Sequence, residues 1–345
     1  MQLPREVIVG SNTLELIGDI CKRLDLSKSA LIVTGSHTKK VAGQKVMDLI
    51  ADGDMDVDCV IVASSTAEDL RTVKDKIKEL QPQFVLGVGG GTKIDVAKLS
   101  SANQNIPFIS VPTTASHDGI ASPLGAIKGL DRPFSAMAQA PMAIVADTQV
   151  IIHSPYRLTA SGCGDTISKL TAVRDWRLAH DKKNEYYGGY ADSLSLMSAQ
   201  LVMKNAEGIQ PKDEEGLRVL LEALISCGVA MSIAGNSRPG SGSEHLFSHA
   251  LDMIAPKPAL HGEQSGVGTI MMARLHHINW KRIKETLQKV GAPTTAKELG
   301  VEAEHVTEAL VRACTLRPDR YTILDEKKLD YDSAEKLARA TGVID

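Results

Sequence analysis

Along the first part of the chain, apolar and polar positions follow two alternating rhythms. Short β-branched runs at Val7–Val9, Ala30–Thr34, Val57–Ala63, Phe84–Val88, Pro107–Val111 and Met142–Ala146 have the length and composition of buried strands. Between them, apolar residues return every three or four positions. Leu14, Ile17, Ile20 and Leu24 form one such set, Val41, Val46, Leu49 and Ile50 a second, and Leu70, Val73, Ile77 and Leu80 a third. That spacing is one face of an α-helix. Thr66-Ala-Glu-Asp69 opens the third helix as a capping box, and Ser11 or Asn12 is the expected cap of the first. Strands of this kind separated by amphipathic helices predict a mainly parallel α/β sheet.

After Asp147 the strand rhythm stops. Tyr156–Ala179, Leu194–Lys204, Glu214–Ala234, Ser243–Ile254 and Glu263–Ile278 read as helices, with Ser243 as a cap. The pattern therefore divides the chain near residue 150, into an α/β domain over 1–150 and an all-helical domain over 151–345. Two connections stand out. Residues 112–140 are long enough to carry a function or a small hairpin, and Asn236–Gly242 is rich in turn residues.

Composition narrows the class. Aromatics make up only 3 % of 345 residues, so the core is built from aliphatic side chains and methionine. A net charge of -3 offers no bulk attraction to nucleic acid or to an anionic membrane. The five cysteines are scattered, with no C-x-x-C pair, which fits a reducing compartment. No apolar signal region opens the sequence, and no apolar run approaches the ~18 residues of a membrane span. A cytoplasmic protein that does not insert into membranes is expected.

Four clusters carry candidate chemistry. His245 and His249 lie four apart on a helix and share a face, and His261 follows shortly after Pro256 and Pro258. Two or three imidazoles need a carboxylate or thiolate to complete a metal site. Asp165 is the candidate, because Gly162 and Gly164 sit beside it in a helical stretch where glycine is costly unless something approaches closely. The third cluster, Gly89-Gly90-Gly91-Thr92-Lys93-Ile-Asp95, joins a strand to a helix and suits a phosphate. It is not the standard dinucleotide fingerprint, and a tight packing turn is the alternative. The fourth, Thr113-Thr114-Ala115-Ser116-His117-Asp118-Gly119, follows the next strand. Its hydroxyls suit a phosphate or ribose, Asp118 suits a substrate hydroxyl, and an Asx turn is the alternative. Glu263 reads either as a partner of a metal ligand or as a helix N-terminal charge. Ser237-Arg238 is a candidate anion contact. Lys169 and Arg174 read as ordinary ion-pair residues, and His117, His153, His180, His276, His277 and His305 as structural.

Together, and in this order and spacing, these motifs resemble the superfamily of iron-containing alcohol dehydrogenases, glycerol dehydrogenases and dehydroquinate synthases. Within it, Ser116–Pro123, Ala160–Lys169 and Arg317–Ile323 resemble the archaeal sn-glycerol-1-phosphate dehydrogenase family, over essentially the whole chain. The resemblance implies a dehydroquinate synthase-like fold, with a Rossmann-like nucleotide-binding half, a helical half and an active site between them. It implies Zn2+ on Asp165, His245 and His261, a set that Ni2+ or Fe2+ also accepts. It implies that His249, Asp118 and Asp165 meet the substrate, with His249 and Asp118 catalytic. Gly89, Gly90, Gly91, Thr92, Lys93 and Asp95 would hold the cofactor diphosphate region. Thr113, Thr114, Ala115, Ser116 and Ser122 would lie toward the nicotinamide. The implied reaction reduces dihydroxyacetone phosphate with NAD(P)H to sn-glycerol 1-phosphate, the backbone of archaeal ether lipids. The turn after the second strand, Thr34–Thr38, carries no carboxylate to exclude a 2′-phosphate, so both NADH and NADPH are expected. Homo-oligomerisation is expected too. The rival readings are a glycerol dehydrogenase-like polyol oxidoreductase, a lyase of the dehydroquinate synthase type and a metabolite-binding protein on the same fold.

Overall fold

Six of the short β-branched runs become strands of one parallel sheet: β1 (Glu6–Gly10), β2 (Ser29–Thr34), β3 (Asp56–Ile61), β4 (Phe84–Gly89), β5 (Phe108–Pro112) and, last, Ala143–Asp147. They appear in a computed structural model that describes residues 1–127 and 134–345. The long connection carries the expected hairpin, β6 (Leu124–Ile127) paired antiparallel with β7 (Phe134–Met137). The part of that connection at 128–133 lies outside the described residues. With Ala143–Asp147 as β8, the sheet order is β1-β8-β5-β4-β2-β3.

Side-chain alternation along the strands explains why helices cover both faces. In β2, Ala30 and Ile32 join one apolar cluster with Leu14, Ile17 and Val46. Leu31 and Val33 point the other way, into a cluster that runs on to Leu246, Ile270 and Leu310. The second cluster ties the sheet to the helical half. The chain steps from β2 to β3 in one direction and from β4 onward in the other, so the switch lies between β2 and β4. Ligands of open α/β sheets bind outside the carboxyl ends at such a point, and the glycine turn begins there.

Beyond Asp147 the described residues contain helices and no strand. The main ones are Tyr156–Lys183, Gly189–Lys204, Glu214–Ala234, Ser243–Ile254 and His261–Leu275. The first runs past the expected Ala179 until Asn184 takes a left-handed conformation (φ 53), a common helix end. The last begins at His261 rather than Glu263, because the Glu263 carboxylate accepts the Leu260 N–H at 3.0 Å and closes the turn earlier. Two capping expectations fail. Gly242 holds the cap position of Ser243–Ile254. Ser243 instead turns inward, and its N–H and hydroxyl donate to Asp175 Oδ2 at 2.7 and 2.5 Å. Asn12 makes no side-chain cap bond; its N–H donates to Asp147 Oδ1. The Thr66–Asp69 box forms as expected.

One composition reading also needs correction. Glu214–Ala234 is long and apolar enough to cross a membrane by length and composition alone, but 61 % of that stretch is buried inside the molecule. It is a core helix, apolar on most sides because protein surrounds it.

Candidate active site

The long helix Tyr156–Lys183 reaches two other segments because it lacks side chains where they touch. A Cβ on Gly162 would lie 2.0 Å from the Ala115 carbonyl oxygen, and one on Gly262 would lie 1.9 Å from that of Ser161. These contacts bring the Thr113–Gly119 loop and the His261 turn onto the same helix, within one turn of Asp165. The glycines near Asp165 thus serve close backbone approach, as their cost in a helix suggested.

Asp165, His245 and His261 converge. One potential ligand atom from each lies within 4.8 Å of the others. The Glu244 carboxylate accepts from His245 Nδ1 at 2.8 Å, which leaves His245 Nε2 directed at Asp165 Oδ1, 3.5 Å away. The same Glu244 carboxylate takes the Gly242 N–H at 2.6 Å and the Thr171 hydroxyl at 2.7 Å. His261 stands edge-on to His245 with ring centres 4.8 Å apart, and its Nδ1 meets Ser248 Oγ at 3.4 Å.

Burial alone would raise the Asp165 carboxyl. The Lys169 ammonium and the bond to His245 overcome it and hold Asp165 well below the usual carboxylate range. Burial, aided by neighbouring His245, pushes His261 well below the usual imidazole range. An ionised carboxylate and a neutral imidazole are the forms that bind a metal, and a carboxylate behind one ring nitrogen is the usual orientation device for a metal-bound histidine. The donor set therefore fits a divalent cation.

Asp118 joins this cluster from the other side. Its N–H donates to Asp165 Oδ2 at 2.8 Å. Lys169, fully buried, bridges Asp118 Oδ2 at 2.8 Å and Asp165 Oδ1 at 2.9 Å. Lys169 is an ion-pair residue as read from sequence, but it lies inside the site. His249 stacks on His261 at 6.0 Å, outside the trio, and its buried Nδ1 has no hydrogen-bond partner among the described residues.

The glycine turn adjoins the same loop. Thr113 N–H donates to Gly89 O at 3.0 Å, and Thr114 Oγ1 would lie 3.3 Å from a Cβ on Gly90. Gly90 holds the cap position of helix Gly91–Ala102 and brings no side chain to it, so no capping side chain occupies the first N–H groups of that helix. His117 Nε2 would lie 1.8 Å from a Cβ on Gly91. His117 therefore reaches the turn, although sequence set it among the structural histidines. The Lys93 ammonium crosses to Ala63 O at 2.8 Å, toward the end of β3. Asp95 is buried away from the turn beside Lys98, 3.8 Å off. Ser122 is buried, with its hydroxyl on Leu124 O at 3.4 Å, and the Ser116 carbonyl accepts from Ser161.

One sequence reading changes here and another is resolved. Arg238 is buried and engaged by the Glu185 carboxylate and the Tyr321 carbonyl, so it is not a waiting anion contact. Glu263 pairs with Arg157 at 2.6 and 2.7 Å and caps its own helix, which is its N-terminal role. Two residues went unread: Glu244, whose only sign is its place before His245, and Lys98. Lys98 donates to Gly119 O at 2.7 Å and Leu124 O at 2.6 Å, pinning both ends of the segment that follows Asp118.

Known proteins resemble this chain in sequence and fold. Residues 8–155 match the family model described as iron-containing alcohol dehydrogenase. The chain is 54 % identical to the NAD(P)+ glycerol-1-phosphate dehydrogenase of Pyrococcus furiosus, over all of this chain and 99 % of that one. It is 53 % identical to the protein of the same name from Methanosarcina barkeri, over all of this chain and 96 % of the other. Among solved structures, the glycerol dehydrogenase of Schizosaccharomyces pombe superposes with a TM-score of 0.82 at 22 % identity, covering 99 % of this chain and 89 % of that one. The sulfoacetaldehyde reductase of Bifidobacterium kashiwanohense in complex with NAD+ gives 0.76 at 18 % identity, covering 99 % and 98 %. At these identities the last two bear on fold.

Proposed function

The chain belongs to the glycerol-1-phosphate dehydrogenase family of the iron-containing alcohol dehydrogenases, and from that membership we propose its reaction and the residues that carry it. It is an NAD(P)-dependent oxidoreductase that interconverts dihydroxyacetone phosphate and sn-glycerol 1-phosphate. Asp165, His245 and His261 hold a divalent metal, Zn2+ in the first instance, with Ni2+ or Fe2+ as alternatives. When bound, the metal supplies Lewis-acid polarisation of the ketone and the nicotinamide supplies the hydride.

The chain's own residues bind, orient and move protons. Gly89, Gly90, Gly91, Thr92 and Lys93, with Asp95 behind them, form the diphosphate end of the cofactor site. Thr113, Thr114, Ala115, Ser116 and Ser122 form its nicotinamide end. Asp118 accepts a substrate hydroxyl. His249, one helical turn beyond His245, faces the substrate and passes a proton toward its oxygen through hydroxyls and water. The absence of a carboxylate in Thr34–Thr38 supports use of both NADH and NADPH. The division near residue 150 separates the nucleotide half from the metal half. The five free cysteines suit the cytoplasm. Exposed Tyr190, Met197 and Leu201 on helix Gly189–Lys204 support a homo-oligomer.

One observation carries the reading. The segment from Thr113 to Asp118 is anchored to the glycine turn at one end, through Thr113 N–H on Gly89 O, and to Asp165 at the other, through Asp118 N–H. A six-residue strut thus joins the candidate phosphate cradle to the candidate metal cluster, which supports a reaction between a bound cofactor and a metal-held ketone. The test is NADH oxidation by the metal-loaded protein, with dihydroxyacetone phosphate and dihydroxyacetone side by side, followed by chiral analysis. Formation of sn-glycerol 1-phosphate supports the reading. The 3-phosphate enantiomer would keep a dehydrogenase and overturn the assigned face, and preference for the unphosphorylated ketone would favour the polyol rival.

A further inference from the structure

Lys169 is an unusual residue for a protein interior. It lies in the middle of helix Tyr156–Lys183 with no exposed surface. An ammonium in such a place is costly unless it is paired and hydrogen-bonded. Two of its donors are accounted for, and both go to carboxylates of the site: Asp118 Oδ2 at 2.8 Å and Asp165 Oδ1 at 2.9 Å. The two carboxylates come from different parts of the fold. Asp165 is on the same helix, one turn earlier. Asp118 is on the strut from the sheet.

Each acid is otherwise held differently. Asp165 has His245 beside Oδ1 and the Asp118 N–H on Oδ2. Asp118 has no hydrogen-bond donor to its own carboxylate other than Lys169 among the described residues. Gly240 packs close to it, where an added Cβ would stand 3.4 Å from Asp118 Oδ2, but brings no side-chain donor. Lys98 fixes the backbone on the far side through Gly119 O and Leu124 O and has no ion pair with the Asp118 carboxylate. Among the described residues, Lys169 is thus the charged anchor of that carboxylate.

We propose that Lys169 is a positioning residue for substrate binding: it fixes the Asp118 carboxylate toward the substrate and keeps two buried acids from opposing a phosphorylated ligand. This rests on the function proposed above. One Oδ of Asp118 is engaged by Lys169, which leaves the other to accept a hydroxyl. With a divalent metal in place, the ammonium and the carboxylates of Asp118, Asp165 and Glu244 bring the site to neutrality (two plus one minus three). Without the ammonium that sum is minus one, which opposes a phosphate dianion. Because Lys169 acts through Asp118, its removal and the removal of the Asp118 charge should not be independent.

The test is a double-mutant cycle of Lys169→Met and Asp118→Asn, read with dihydroxyacetone phosphate in the metal-loaded protein. Lys169→Met should lower kcat/KM by roughly thirtyfold or more, chiefly through KM. With the metal kept at saturation, the dissociation constant for NADH, read by nucleotide fluorescence, should stay within about twofold of the parent. The double variant should be no worse than the poorer single variant, within about threefold. Losses that multiply through the cycle would overturn the proposal, as would a Lys169→Met protein with unchanged KM. If stranding two acids prevents Lys169→Met from folding, the comparison of Asp118→Asn with the double variant decides. Equal kcat/KM supports action through Asp118, and a further loss of about tenfold refutes it. If the parent protein prefers an unphosphorylated ketone, the proposed function fails by itself. The same cycle run on that ketone then still tests whether Lys169 acts through Asp118.

Discussion

Gly164 and Gly262 meet backbone to backbone: a Cβ on Gly164 would lie 2.2 Å from the Gly262 carbonyl oxygen. The contact presses the turn carrying His261 onto the helix carrying Asp165. Neither partner can yield as a flexible side chain would, so Gly164→Ala forces the two segments apart. Overpacking of a close contact costs about 3 kcal/mol, and here the displacement falls on the metal ligands. The expected outcome is a lower melting temperature together with a loss of bound metal. Calorimetry and metal analysis on the same sample check it. A variant that keeps the full metal content would show that the approach is not what sets the ligand geometry.

Glu244 offers a test in which the fold should survive. Its carboxylate fixes His245 through Nδ1 at 2.8 Å while also holding the Gly242 N–H and the Thr171 hydroxyl. Glu244→Gln keeps the shape and removes the charge behind the imidazole. Outer partners of metal-bound histidines contribute about tenfold or more to affinity. Competition against a chelator should therefore show metal held about tenfold more weakly, with little change in melting temperature of the metal-free protein. Equal affinity would mean that Glu244 serves only the loop before the helix.

The parts of this molecule that were legible in sequence are those written in short-range patterns. β4 is an uninterrupted apolar run, and β5 is one but for Ser110, because the parallel sheet buries both faces. The spacing of His245 and His249 fixes their shared helix face. Asp165 could be singled out because Gly162 and Gly164 break a local rule, and a broken rule signals a close neighbour. Lys169 could not. Its meaning comes from Asp118, which is remote in sequence, and a lysine four residues after an aspartate is ordinary on any exposed helix. Arg238 misled for the same reason, since Glu185 and Tyr321 reach it only in the folded chain. Ser243 looked like a cap, but buried Asp175 competes for it more strongly than the helix end does.

His249 separates metal binding from turnover. Its ring stacks on His261 but lies outside the trio whose ligand atoms converge, and among the described residues its buried Nδ1 has no hydrogen-bond partner, with Asp252 Oδ2 3.9 Å away. His249→Ala should therefore leave the metal content unchanged and reduce kcat by about a hundredfold, the usual scale for loss of a proton-transfer group. Metal analysis alongside steady-state kinetics decides. Loss of metal in this variant would move His249 into the ligand set, and unchanged kcat would remove it from the proton path.

The two candidate metal histidines lean in opposite directions before any metal arrives, and that difference should appear in the pH dependence of binding. Burial disfavours the charge on both. At His245 the bonds to Asp165 and Glu244 outweigh burial and raise the imidazole above 6.5. At His261 burial and the neighbouring His245 hold it well below 6.5. Asp165 is already ionised, because Lys169 and His245 overcome its burial. Binding requires both imidazoles neutral. Near pH 6, then, His245 carries a proton that the metal must displace, and His261 does not. Affinity should fall as pH falls, with about one proton released per metal and a slope of log K against pH of about one. Titration calorimetry in two buffers of different ionisation enthalpy measures that number directly. A slope near two would mean that His261 is also protonated in the metal-free protein, and a slope near zero would mean that His245 does not bind the metal.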